Sequence, residues 1–156
     1  MENIQEKADF LKSEYTKQLS LLDANARRLW GKMNVQQMIE HMSDYVRIGS
    51  GRAIEKLVTP EEHLPKMQAF LSSGKPFREN TPNVLMPETP LPVKHSSLKE
   101  AIDEMQSELD YFFEVFKNEP GKKVTNPFFG DLDYEMSVQL LYKHATHHLR
   151  QFGIAA

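Results

Sequence analysis

Leu98, Ile102, Met105, Leu109, Phe112 and Phe116 follow one another at intervals of four, three, four, three and four residues. A strand turns its side chains over at every second residue, so this spacing suits only a helix, where third and fourth neighbours share a face. Ser97-Leu98-Lys99-Glu100 precedes the run as a capping box. Asn118-Glu119-Pro120-Gly121 ends it. A seam of this kind belongs to helices packed side by side, so the rest of the chain has to supply the helices that cover it.

Three other stretches carry the same period. Ile4, Ala8, Leu11, Tyr15, Leu19 and Leu22 predict a first helix ending near Asp23-Ala24-Asn25. Asn34 is a good N-cap for a second, which continues through Val35, Met38, Ile39, Met42, Tyr45 and Val46 until Gly49 and Gly51 stop it. The last runs from about Asp133 through Val138, Leu141, Ala145, His148 and Phe152 to Gly153, a suitable C′ residue. Thr59-Pro60-Glu61-Glu62 opens a short amphipathic piece reaching about Ser72, with Leu64, Met67, Phe70 and Leu71 on its apolar side. Five of the nine prolines then fall between Pro76 and Pro92, which forbids regular structure there. No strand pattern or repeat stands out. The expectation is an all-α domain spanning 1–156, a four-helix bundle with a long Pro-rich crossover between its second and third helices. Links between bundle helices are usually about 2–8 residues, and longer ones often serve a site.

Size and charge narrow the function. A chain of 156 residues is most simply one domain. Its net charge of −3, with no basic cluster, lacks the electrostatic footprint of a nucleic-acid binder. There is no cysteine, which removes disulfides, thiolate metal sites and cysteine nucleophiles together. The opening Met1-Glu2-Asn3-Ile4-Gln5-Glu6 lacks the features of a secretory signal. No window approaches the roughly 18 apolar residues that span a bilayer. A soluble cytoplasmic protein without membrane or nucleic-acid partners is expected.

Half of the six histidines lie in His144-Ala145-Thr146-His147-His148-Leu149-Arg150-Gln151. Positions i and i+4 of a helix are neighbours, with Cβ atoms roughly 5–6 Å apart. His144 and His148 can therefore share an ion about 2.0–2.1 Å from each ring nitrogen. His147 points about 100° away from His148, towards the flank. On the second helix His41 falls at the rim of the apolar face, near Tyr45. Three neutral imidazoles plus a free position is the pattern of a catalytic rather than a structural metal site, and a metal so held lowers the pKa of a bound water. Asp44, one turn beyond His41, is a candidate to orient it. Glu40 is expected in solvent, as are His63 and His95. Met33, Met38, Met42, Phe112, Phe113 and Phe116 read as core. Gly-rich phosphate loops, Gly-x-Ser-x-Gly elbows and His-Glu-x-x-His are absent.

Two stretches carry a family likeness. One is Trp30-Gly31-Lys32-Met33-Asn34-Val35-Gln36-Gln37-Met38-Ile39-Glu40-His41-Met42. The other is Asn126-Pro127-Phe128-Phe129-Gly130-Asp131-Leu132, followed by Lys143-His144-Ala145-Thr146-His147-His148-Leu149-Arg150-Gln151-Phe152-Gly153. With the order of helices and the crossover, the chain resembles the DinB-like (YfiT-type) superfamily of metal-dependent proteins along nearly its whole length. The resemblance implies a four-helix bundle with a divalent metal (zinc, nickel or manganese; iron also suits three imidazoles) bound by one His of the second helix and a His-x-x-x-His pair of the fourth. Those positions are His41, His144 and His148, the three the helical wheel selects. It also implies a thiol-transferase, isomerase or hydrolase type of activity on a small molecule, such as a low-molecular-weight thiol, and a homodimer. The branch it is most similar to often has His-Pro where this chain has Asn126-Pro127, and a Thr-x-Glu-Glu-Trp-like start where it has Asp133-Tyr134-Glu135-Met136.

Three expectations stand side by side. The chain is a metal-dependent enzyme, with the crossover from Lys75 to Lys94 walling the pocket and Arg78 contacting an anion. Alternatively it is a non-catalytic bundle that binds a metal or small molecule, or serves as an interaction module. Or its histidines are core and capping residues, favoured near a helix C-terminus by the dipole.

Overall fold

The structure is a computed structural model that describes residues 3–78 and 90–154. It is mostly helical, with one small two-stranded sheet. Pro82 and Pro87 of the crossover lie outside the described residues. Among the described residues no helix is long and apolar enough to cross a membrane.

The first helical stretch is bent rather than uniform. It comprises α1 (Ile4–Asp9), a π turn (Phe10–Glu14) and α2 (Tyr15–Ser20). The four-residue steps from Leu11 to Tyr15 to Leu19 would drift around an α-helix by about 40° each. The underwound π turn returns them towards one side, and all three are buried. The stretch ends at Ser20, short of the Asp23-Ala24-Asn25 stop that the sequence suggests.

Helix α3 (Val35–Ser50) starts where Asn34 and Gln37 exchange hydrogen bonds in a capping box, and it ends at Gly51, whose φ of 83° suits glycine. Gly49 stays inside it, against the ring of Phe112. After a 3₁₀ turn (Glu61–His63), α4 (Leu64–Ser72) forms the short amphipathic piece. Helix α5 (Leu98–Asn118) is capped by Ser97, whose side chain accepts from the Glu100 N–H. The Glu100 carboxylate accepts from the Ser96 hydroxyl, in place of the return half of a capping box. Asp133 caps α6 (Tyr134–Gln151) through the Met136 N–H.

Before α6 lies a hairpin that the sequence did not suggest: β1 (Val124–Asn126) and β2 (Gly130–Leu132), antiparallel, with Val124 opposite Leu132. Three-residue strands are too short to establish an alternation. The turn is made by the Asn126 side chain, which accepts from the N–H groups of Phe128 and Phe129.

Helix α3 packs on α5 and α6, α2 packs on α5, and α1 packs on α6. Their apolar faces merge in one core, where Met38, Ile39, Met42 and Val46 meet Met105, Leu109, Phe112, Leu141, Ala145 and Leu149. Phe113 is only partly buried, at the margin of that core. A smaller cluster of Leu71, Phe129, Leu132 and Leu140 joins α4 and the hairpin to α6. These contacts hold α3 against α6, and the histidines of interest lie along that seam.

Candidate metal centre

His41 comes from the middle of α3 and His144 and His148 from successive turns of α6. One ligand atom from each lies within 4.8 Å of the other two. The rings of His144 and His148 are 4.7 Å apart between centroids, and each is about as close to His41, at 5.2 and 5.1 Å. Nε2 of His41 is 3.3 Å from Nε2 of His144. The three residues chosen from the sequence therefore converge, and together they can hold a metal ion.

The surroundings favour neutral rings. Burial lowers the His41 pKa to about 4, with the nearby His147 adding to the effect. Burial holds His144 and His148 well below the usual imidazole range, and mutual repulsion within the cluster pushes the same way. Near neutral pH all three thus offer lone pairs rather than positive charges. His148 Nδ1 hydrogen-bonds Gln151 Oε1 at 2.8 Å, while its Nε2 is buried without a partner. Such an orphan is costly in an ordinary core and is what an ion-binding nitrogen looks like before the ion is added.

Aromatic side chains enclose the cluster. Tyr45 stands edge-on to both His41 and His144, at 5.0 Å from each. Phe77, from the start of the crossover, meets His144 edge-on at 5.7 Å. A cleft of about 220 Å³ reaches His41 and Tyr45 and is walled by Met33, Ile48, Pro90, Leu91 and Pro92. The described ends of the crossover thus border the centre, as the sequence led one to expect. Arg78 follows Phe77 and is exposed.

Several neighbours depart from expectation. Glu40 is buried rather than solvated, at 5 % exposure. Its carboxylate accepts from the N–H groups of Lys94 (2.6 Å) and His95 (3.1 Å) and from the Gln36 side chain (3.0 Å). Burial alone would raise its pKa, but those donors outweigh it and the net shift is downward. Asp44 does not orient His41; it pairs with Arg47 at 2.7 Å and with Lys94 at 3.4 Å. His95 is half-buried and faces Glu104 at 3.1 Å, whereas His63 is exposed as expected.

Neither a protein-family model, nor a curated protein, nor a solved structure matches the chain.

His147 lies outside the ligand trio but is no flank residue. It is buried between Trp30 and Phe77, with its Nδ1 unpartnered, and burial lowers its pKa to about 4. Lys143 is also buried, and its ammonium donates to the carbonyls of Ser73 and Lys75. Gln151, Glu40 and Lys143 escaped sequence reasoning because their partners are remote or are backbone atoms. Local signals existed for Gln151, at i+3 from His148, and for Glu40, at i+4 from Gln36, since both spacings share a helix face.

Proposed function

We propose that this chain is a metal-dependent enzyme of DinB-like type, holding a divalent ion on His41, His144 and His148. Its substrate is a small molecule taken up in the cleft beside His41, a low-molecular-weight thiol or a hydrolysable compound. The observation that carries the reading is the convergence of three neutral imidazoles from two helices, one of them with a buried unpartnered Nε2 and another, His41, lining a cleft. The pairwise contacts of the bent N-terminal stretch with α5 and α6, and of α3 with the same two helices, close a ring. That ring supports a single-domain four-helix bundle.

A divalent ion here supplies Lewis acidity, lowering the pKa of a water or thiol bound to it. The protein's own part is to hold three lone pairs ready, since burial keeps the rings neutral. Phe77 and Tyr45 exclude water from two sides of His144. The apolar wall of Leu91 and Pro92 suits the carbon skeleton of a small substrate.

One observation favours the second reading, a non-catalytic metal- or small-molecule-binding bundle. Glu40 and Asp44, two of the three carboxylates lining the cleft with His41, are engaged in other bonds. A panel of thiols with electrophiles, and of esters and amides, assayed with zinc, nickel, manganese and iron(II), separates the two. Saturable turnover that collapses in His41→Ala supports the enzyme. Metal binding without turnover across the panel supports the binding protein. Absence of bound metal by elemental analysis, with no uptake in calorimetry, overturns both metal readings.

A further inference from the structure

Gln151 closes α6, three residues beyond His148, and only 3 % of it is exposed. A buried side-chain amide is unfavourable unless both of its ends are bonded, and here both are. Its Nε2 donates to the Trp30 carbonyl at 3.0 Å, and its Oε1 faces His148 Nδ1 at 2.8 Å. The loop from Arg28 to Gly31 is fitted around this amide. The Leu29 N–H donates to the Gln151 carbonyl at 2.6 Å, and Arg28 Nε donates to the Gly31 carbonyl at 2.9 Å. Gly31 has a φ of +80°, and a Cβ on it would lie 2.6 Å from Gln151 Nε2. Only a glycine lets the loop come so close.

The direction of this chain of bonds follows from donor chemistry. A backbone carbonyl can only accept, so the amide must turn its NH₂ towards Trp30. That leaves the amide oxygen, another obligate acceptor, facing His148 Nδ1. The proton between them therefore sits on Nδ1. A neutral imidazole protonated there carries its lone pair on Nε2, the atom that is buried and unpartnered beside His41 and His144. A flipped amide would set two acceptors against each other at Trp30.

We propose that Gln151 is a positioning residue: referenced to the Trp30 carbonyl, it fixes His148 as the Nδ1–H tautomer and presents Nε2 as a ready metal ligand. The consequence for metal binding rests on the three-histidine reading, whereas the tautomer does not. The test has two arms. Long-range ¹H–¹⁵N spectra of the metal-free wild-type protein report the tautomer directly, and Nδ1–H is expected for His148. Finding the proton on Nε2 overturns the proposal whatever the metal does. Zinc titration of Gln151→Met, which keeps the length of the side chain but not its acceptor, is expected to give affinity lower by about 10–100-fold, the range for losing such a support. Unchanged affinity in a folded Gln151→Met protein overturns it. If that variant does not fold, Gly31→Ala serves instead, since its Cβ displaces the amide, and weaker zinc binding is again expected. A wild-type protein with the Nδ1–H tautomer but no zinc uptake overturns the ligand role and the metal reading together, leaving a folding contact.

Discussion

The Nε2 atoms of His41 and His144, on different helices, stand 3.3 Å apart. Two neutral imidazoles at this distance either share a single proton or face a common cation. A tetrahedral ion with bonds of about 2.0–2.1 Å spaces its ligand nitrogens about 3.3–3.4 Å from one another. The observed separation is therefore already that of a bound pair. His41→Ala, His144→Ala and His148→Ala should each weaken zinc binding by about 100-fold or more, because two imidazoles no longer define a closed site. His147→Gln should change it far less. Calorimetric titration of the four variants checks this, and an equal loss in His147→Gln would mean that the wrong trio has been chosen.

Acid should destabilise the metal-free protein. The pKa of His41 and of His147 is lowered to about 4 by burial, and those of His144 and His148 are lowered as well. In the unfolded chain the same groups titrate near about 6.5. Between these values the unfolded state binds more protons than the native one, so stability rises with pH and is lost as the pH falls. The slope approaches about 1.4 kcal/mol per pH unit for each histidine that stays neutral in the native state. Urea midpoints of the apo-protein at pH 7.5, 6 and 5 should fall progressively. A flat profile would show that the rings are not desolvated.

The sequence made legible what depends on near neighbours. Asn34 and Ser97 were readable as caps because each bonds an amide three residues on, and Asp133, read only as the start of its helix, does the same. The seam of α5 and the facing of His144 with His148 follow from helical period alone. His41 could be placed on the inner rim of its helix, but its distance to α6 came only from packing. Glu40 was misread because two of its three donors are the amides of residues 54 and 55 positions away. The hairpin was missed because it is held by Asn126 side-chain bonds and by Val58 and Thr59 amides donating to the Pro127 carbonyl, not by an alternating apolar face. Long-range polar contacts leave no period to read.

Glu40 should prove more important than an exposed carboxylate would be. It precedes His41 and ties the far end of the crossover, through the Lys94 and His95 amides, to the helix that supplies the first ligand. Glu40→Ala leaves both amides without an acceptor and deletes bonds to an ionised group. A loss of about 2–3 kcal/mol is expected, the usual range for such bonds. Hydrogen exchange at Lys94 and His95 should speed up more than exchange in the middle of α5. Uniform acceleration throughout the protein would point to global unfolding and not to a released crossover.

Metal should stabilise the fold through the same three rings. The unfolded chain scatters His41 from the α6 pair, so an ion that needs all three binds the native state almost alone. Free ion at 100 times its dissociation constant then adds about 2.7 kcal/mol. For a chain of this length that raises the melting temperature by about 5–10 °C. A chelator should return the melt to its starting point, and His148→Ala should respond to neither reagent. If histidine burial is purely structural, the wild-type melt is indifferent to zinc and chelator alike. Only that outcome makes the orphaned His148 Nε2 a cost carried by the core, and it would have to coincide with a zinc titration that shows no uptake.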